Sequence, residues 1–181
     1  MSKQSQLAEA LRSRTLVRFT RPFEEGTVNG YVVDIGPRFF ILALVDGGIR
    51  FDGFQCFRIS DVRQFQASGP HADFVEKVLK LRGQQRPRKP RVSMATLEDL
   101  LKSANRAFPL VTICREQADP DVCHIGRVEE VANGRLMLRA IDPSAAWDAE
   151  PQEYRLSEIT QVDFGGAYED ALHLAGGPAP A

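Results

Sequence analysis

A seventeen-residue pattern occurs twice in this chain and constrains the fold more than any other feature of the sequence. Residues 30–46 read GYVVDIGPRFFILALVD and residues 126–142 read GRVEEVANGRLMLRAID, so each copy opens on Gly and closes on Asp. Further matches lie in the same order, pairing residues 16–19 with 110–113, 57–62 with 154–159, and 79–83 with 172–176. Colinear matches at a nearly constant offset predict an internal duplication, in which each copy forms one structural unit.

Each copy predicts a helix, a short strand at residues 16–20 or 110–115, a variable loop and then a hairpin. An amphipathic helix is expected in residues 5–14 and again in residues 95–108, where Thr96 is expected to be the N-cap. The repeated stretch predicts two strands joined by a turn, at residues 36–38 in the first copy and at Asn133-Gly134 in the second. Asn-Gly strongly favours a hairpin turn because both residues tolerate positive φ.

The rest of each copy predicts a loop, two short strands and a closing helix. These elements fall at 47–53, 57–59, 62–65 and 71–82 in the first copy, and at 143–152, 154–156, 159–162 and 167–175 in the second. A helix and five short strands in so few residues predict a small β-barrel, because closure of the sheet removes its exposed edges. The predicted fold is mainly β with short flanking helices, in two tandem five-stranded barrels.

The domain boundaries follow from composition. We expect a first barrel with its helices in residues 1–83, a basic linker containing prolines in 84–93, a second barrel in 94–177 and a tail in 178–181. Residues 1–91 hold 16 basic and 9 acidic side chains, a net charge of +7, whereas residues 92–181 hold 7 and 15, a net charge of −8. Opposite fields on the two halves favour attraction between them, within one chain or between chains.

The order of these motifs resembles the Sm-like branch of the SH3-like small barrels. The resemblance covers both copies and lies in the G-x-V strand, the strand that ends on Asp46 or Asp142, and the segments FRISDV and YRLSEI. It implies five-stranded barrels, with RNA binding or ring-forming assembly as the expected activity.

The residues that hold a nucleotide in Sm proteins are not retained. The Asp of the binding turn falls at Gly36 and Ala132, and the Asn falls near Phe40 and Leu136. The second motif keeps its Arg, as Arg58 and Arg155, but not the Gly that follows. A base pocket requires hydrogen-bonding groups and a flat stacking partner, so we expect no such pocket in either copy.

Two groups of polar residues are candidate sites. A repeated Arg and carboxylate, Arg58 with Asp61 and Arg155 with Glu158, could form one ligand site per copy, but we interpret it as a structural pair at a strand junction. The second group is the basic run Arg82, Arg86, Arg88, Lys89 and Arg91. This run could neutralise phosphates of a nucleic acid, or it could be solvated or dock on the acidic second half. It contains no aromatic residue for base stacking.

Catalytic and metal-binding motifs are lacking in the sequence. The three cysteines, Cys56, Cys114 and Cys123, have neither the spacing of a zinc site nor that of a disulfide framework, so we expect free thiols. No apolar run approaches the about 18 residues that span a bilayer, and no secretory signal is visible. We therefore expect a cytoplasmic protein that is not an enzyme, holds no cofactor or metal, and does not bind a membrane.

The expected function is that of an interaction or assembly module. Its partner would be another protein or a second copy, bound through the oppositely charged halves. The alternative is a regulator that binds nucleic acid, RNA in particular, through the basic linker and the first barrel. Trp147 would be either an anchor for a partner or a plug at the end of the second barrel.

Overall fold

The computed structural model describes all residues from 1 to 181. The chain contains ten β-strands, four α-helices and two short 3-10 turns, so the prediction of a mainly β fold with short flanking helices is confirmed. It divides into two compact units, Met1–Lys89 and Pro90–Ala181. The boundary between them falls inside the stretch that the sequence predicts as a linker. None of the helices combines the length and the hydropathy that crossing a membrane requires.

The first unit is an antiparallel sheet. Along the chain, one helix precedes its strands and another follows them. Its elements are α1 (Lys3–Ser13), β1 (Leu16–Thr20), β2 (Val28–Ile35), β3 (Phe39–Val45), β4 (Phe51–Arg58), a 3-10 turn (Ile59–Asp61), β5 (Arg63–Ala67) and α2 (Pro70–Leu81). The strands are ordered β5-β1-β2-β3-β4. Ser2 caps helix α1, because its hydroxyl accepts a hydrogen bond from the backbone N–H of Ser5 at 3.1 Å.

The second unit repeats this arrangement. Its elements are α3 (Leu97–Ala107), β6 (Val111–Arg115), β7 (Asp119–Ala132), β8 (Arg135–Ala140), β9 (Gln152–Arg155), a 3-10 turn (Leu156–Glu158), β10 (Gln161–Phe164) and α4 (Ala167–Gly176). The order β10-β6-β7-β8-β9 is that of the first unit, strand for strand. Thr96 caps α3 as predicted, accepting from the N–H of Asp99 at 3.0 Å.

The duplication extends to the register of the strands. Val17 pairs with Gly30 in the first unit, and Val111 pairs with Gly126 in the second. The register also shifts at the same place in both units, directly after Val32 and after Val128. The predicted Asn133-Gly134 turn is present, with φ of 53° and 74°.

Two aromatic and aliphatic layers stabilise the first unit. On one face, Leu7 of α1 packs with Phe19, Phe40 and Phe57, whose ring centroids lie 5.5–5.9 Å apart. All four side chains are at most 1% exposed, and each contributes about 2–3 kcal/mol through burial. On the other face, Val75 and Leu79 of α2 pack with Leu16 of β1 and Tyr31 of β2 in a second cluster.

Two strands begin earlier than the sequence indicates. Strand β4 begins at Phe51, inside the predicted loop 47–53, and the expected strand at 57–59 becomes its end and the start of a 3-10 turn. Strand β7 begins at Asp119, and most of its first half is exposed. Neither segment alternates between apolar and polar residues, because neither buries one complete face, so the period-2 signal of a strand is missing.

Candidate functional site

Three of the five basic residues of the predicted nucleic-acid segment are held by the first unit. The Arg82 guanidinium donates to the carbonyl oxygens of Gly48 and Ile49, the latter at 3.1 Å. The Arg86 guanidinium carbon lies 3.8 Å from the centroid of the Tyr31 ring. The Lys89 ammonium lies 2.9 Å from the carboxylate of Asp34. These three contacts are with the first unit, whereas the sequence interpretation considered docking on the acidic second half.

Arg88 and Arg91 form no such contacts. Both residues are exposed, and neither makes a hydrogen bond or an ion pair. Arg91 lines an open cleft of about 510 Å³ together with Ser103 and Arg106 of α3. The five predicted residues are therefore spread along an extended segment and do not converge on one site.

The Arg86 contact belongs to a second open cleft, of about 490 Å³, between α2 and the sheet of the first unit. Tyr31 is 3% exposed and donates from its hydroxyl to Glu76 at 3.2 Å. Burial, with a further contribution from the Glu76 charge, raises the pKa of Tyr31 to about 12. The Arg86 guanidinium covers the ring face, so the stacking surface in this cleft is already occupied by the chain itself.

The repeated Arg and carboxylate lie beside the two 3-10 turns. Arg58 and Arg155 end β4 and β9, and the acids lie within the turns that follow. Glu158 does not pair with Arg155; it accepts from Arg115 of β6 at 2.8 Å. Asp61 is buried and accepts from the Ser60 hydroxyl at 3.3 Å. In the second unit, Glu158 thus links its 3-10 turn to the end of β6.

A repeated arginine, buried in the first unit and half-buried in the second, is not among the residues predicted from the sequence. Arg21 follows β1 and Arg115 ends β6, at equivalent positions of the two units. Their guanidinium carbons lie 4.6 Å from the ring of Phe57 and 5.0 Å from that of Tyr154, which are also equivalent. The Arg21 side chain is fully buried and donates to Glu24 at 2.9 Å. The signal was available, since extending the match of residues 16–19 with 110–113 by two residues aligns Arg21 with Arg115.

The second unit adds a histidine to this arrangement. The His124 ring on β7 lies 4.8 Å from the Tyr154 ring, and its Nε2 atom is buried without a hydrogen-bond partner. Burial, reinforced by the Arg115 charge, lowers the pKa of His124 below its ordinary value. Burial also raises the pKa of Tyr154. At neutral pH we therefore expect both rings to be uncharged beside the Arg115–Glu158 pair.

The expectation of three free thiols is wrong for two of the cysteines. Cys114 and Cys123 form a disulfide across β6 and β7, with their Cα atoms 4.4 Å apart. They are directly opposite each other in the antiparallel register. A separation near 4.5 Å is typical of a non-hydrogen-bonded pair, at which side chains approach most closely. The disulfide could not be predicted from the spacing of nine residues, because the sequence predicts a variable loop, and not a hairpin, between the two cysteines.

Trp147 packs within the second unit. It lies against Leu110, Ile141 and Leu172, and its indole N–H donates to the carbonyl of Gly176 at 3.3 Å. The ring thus covers the core between α4 and the loop that precedes β9. These contacts match the plug that the sequence analysis considered, rather than an anchor for a partner.

No group of three or more His, Cys, Asp and Glu side chains is arranged to hold a metal ion. The polar residues that the structure does bring together are those around Arg115 in the second unit and those around Arg86 in the first. No protein-family model, no curated protein and no solved structure matches the chain.

Proposed function

We propose that the chain is a non-enzymatic assembly module made of two Sm-like small barrels, and that it associates with further copies of itself. Three observations support the barrel assignment. In both units the fifth strand pairs with the first, a helix precedes the strands, and a 3-10 turn joins the fourth and fifth strands. Repeated residues such as Arg21 and Arg115 are used in packing within each unit, which favours a scaffold over a duplicated catalytic site.

The observation that carries the proposal is the outward face of the closing helices. Leu81 of α2 and Leu174 of α4 are equivalent, and they are 78% and 84% exposed. Phe74 is 54% exposed. It lies on the same side of α2 as Val78, one turn further on, and Leu81, two turns further on. An apolar stripe on a helix whose other side already packs on the sheet is typical of a contact surface for another protein.

Charge favours a second copy as the occupant of this surface. The unit Met1–Lys89 has 15 basic and 9 acidic residues, a net charge of +6, and Pro90–Ala181 has 8 and 15, a net charge of −7. The first unit of one molecule therefore attracts the second unit of another, which steers a head-to-tail encounter. Such contacts give closed rings or open filaments according to the rotation between neighbours.

Sedimentation velocity on the full chain tests this proposal. We expect assemblies larger than the 20.1 kDa monomer at low ionic strength. The double variant Phe74→Ser/Leu81→Ser should shift the distribution toward monomer, because it removes the stripe without touching the buried Val75 and Leu79. Val122→Ser is the matched control, since Val122 is 40% exposed but lies on β7. The proposal fails if the wild-type chain is monomeric, or if the control weakens association as much as the double variant does.

Nucleic-acid binding through the basic segment and the first barrel is the second candidate. It is favoured by the exposure of Arg88 and Arg91 and by the position of Arg91 beside Arg106 at one cleft. Guanidinium groups without partners in the chain are available to phosphates, whereas Arg82 and Lys89 would first have to leave theirs.

Fluorescence anisotropy at low salt, with single-stranded RNA and duplex DNA as probes, tests this candidate. Arg88→Ala/Arg91→Ala should weaken binding at least about tenfold, because two phosphate contacts and their released counterions are lost. Arg12→Ala/Arg127→Ala removes the same charge from other exposed positions and should change affinity far less. Equal losses in the two variants would indicate only a general charge effect, and no binding at micromolar protein would remove the candidate.

A further inference from the structure

The Cys114–Cys123 disulfide joins a fixed strand to a loosely held one. Cys114 is 2% exposed, and its carbonyl accepts from both the backbone N–H and the hydroxyl of Thr160, at 2.9 and 3.0 Å. Cys123 is exposed on β7. Residues 119–123 pair only with β6, because the pairing of β7 with β8 begins at Gly126. The two cysteines therefore differ in their exposure and in how firmly their strands are anchored.

The first unit forms the same hairpin without a disulfide. Phe19 pairs with Val28 as Ile113 pairs with His124, and the positions one step beyond these pairs are Thr20 and Thr27 in the first unit, Cys114 and Cys123 in the second. The geometry of β1 and β2 thus arises from ordinary strand pairing. A sulfur bond at the equivalent place in the second unit is not required for the hairpin to form, which leaves it available for another role.

The residues next to the disulfide are those of the polar cluster. Arg115 follows Cys114 and contacts Glu158 at 2.8 Å, and His124 follows Cys123 and lies 4.8 Å from Tyr154. A change in the Cys123 strand therefore reaches the His124–Tyr154 contact directly. The anchored Cys114 strand would keep Arg115 near its partner.

We propose that this disulfide is a thiol-exchange site at which a low-molecular-weight thiol or a dithiol protein reversibly loosens the tip of the β6–β7 hairpin. The incoming thiolate attacks Sγ of the exposed Cys123, the bond between the two protein sulfurs breaks, and Cys114 leaves as a thiolate that takes up a proton. A mixed disulfide on Cys123 results. A second thiol then attacks the incoming sulfur and releases Cys123 as a thiol. Overall the protein disulfide gains two electrons and two protons, and two thiols are oxidised to one disulfide.

Loosening the hairpin tip has a defined structural consequence. Residues 119–123 lose their covalent link to β6 and are then held there only by the strand pairs at Asp119 and Cys123, so the segment that carries the exposed Val122 becomes more mobile. In a reducing compartment a disulfide with an exposed sulfur is exchanged with the thiol pool, and disulfides found there are mostly redox-sensing or catalytic. The second unit would then exist in two forms that differ in this segment and in the environment of His124.

The test is reduction of the folded, full-length protein with glutathione or dithiothreitol, followed by alkylation and mass spectrometry. Cys56 is an internal control, because its thiol is buried and outside the disulfide. We expect Cys114 and Cys123 to be alkylated fully and reversibly while Cys56 stays unmodified, and the glutathione adduct to map to Cys123. Resistance of the disulfide in the folded protein would overturn the proposal, as would an adduct mainly on Cys114. Alkylation of Cys56 in parallel would show a purely structural bond and would equally overturn it.

NMR gives a second readout, which shows which residues respond to reduction. Reduction should shift the resonances of residues 119–124 and of Tyr154, while those of the equivalent hairpin in the first unit stay unchanged. The variant Cys114→Thr/Cys123→Thr, which copies the Thr20 and Thr27 of the first unit, should fold and reproduce the reduced spectrum without responding to thiols. A spectrum of this variant that matches the oxidised protein would contradict the proposal.

Discussion

Gly30 and Gly126 occupy the same place in the two units, and each lies against the backbone of the facing strand. A Cβ atom built on Gly30 would be 2.4 Å from the carbonyl oxygen of Ala43, and one on Gly126 would be 2.1 Å from that of Arg139. Both glycines begin the seventeen-residue repeat. The repeat therefore opens on Gly because β2 and β7 cross their neighbours too closely for any side chain.

Gly30→Ala should lower the free energy of unfolding by about 3 kcal/mol, because the added methyl group clashes with backbone that cannot rotate away. Gly126→Ala should have an effect of the same size in the second unit. Urea denaturation followed by circular dichroism measures both. Gly26→Ala is the control, since a Cβ there meets nothing within 4 Å; a loss at Gly30 no larger than that of the control would contradict the close approach.

Glu158→Gln should destabilise the second unit by about 1 kcal/mol, because the Arg115 guanidinium loses its charged partner in a place that is largely shielded from water. The side chains of Arg115 and Glu158 are 20% and 33% exposed. Glu153→Gln is the matched control. Its partner is Arg135, and both side chains are about half exposed, so the expected loss is under about 0.5 kcal/mol. Chemical denaturation measures both variants. Equal losses of stability would refute the shielded Arg115–Glu158 pair.

His124 should make the second unit less stable in mildly acidic solution. Its pKa is lower in the folded protein than the 6.5 of an unfolded chain, because burial disfavours the charged ring. The unfolded state therefore binds more protons, and stability falls as the pH drops through 6.5 toward the folded pKa. An NMR titration of the ring protons measures that pKa directly. His124→Phe should flatten this part of the pH profile, and a folded pKa of 6.5 or above would be inconsistent with the burial.

Arg86→Gln should cost about 0.5–1 kcal/mol of stability, because the guanidinium no longer covers the face of Tyr31. Arg88→Gln removes the same charge two residues further on, where the side chain is exposed and without contacts, and should be neutral within about 0.5 kcal/mol. Thermal unfolding of the two variants distinguishes a docked segment from a solvated one. Equal melting temperatures would mean that the Arg86 contact does not stabilise the first unit.

The sequence predicted the elements whose signals are local. The Thr96 cap and the Asn133-Gly134 turn were identified because each depends on a few neighbouring residues with defined conformational preferences. The duplicated order of strands was also predictable, since two copies of one pattern support each other. The early starts of β4 and β7 were not predictable, because these segments do not bury one complete face and so lack alternation.

The contacts between distant residues could not be read from one sequence. Cys114 and Cys123 are brought together by a hairpin whose register depends on β6 and β7 as a whole. Likewise, Arg115 meets Glu158 only because the 3-10 turn lies beside the end of β6. The repeat predicts that Arg58 and Arg155 are equivalent, but not that Glu158 binds Arg115 instead of Arg155.

Light scattering of the full chain at two salt concentrations tests the central claim, that attraction between oppositely charged units brings copies together at the apolar helix faces. At about 10 mM ionic strength the Debye length is about 30 Å, and at about 1 M it is about 3 Å, so only the first condition lets the units attract each other at a distance. We predict a mass well above 20.1 kDa at low salt and a shift toward 20.1 kDa at high salt. The same mass under both conditions would contradict the claim.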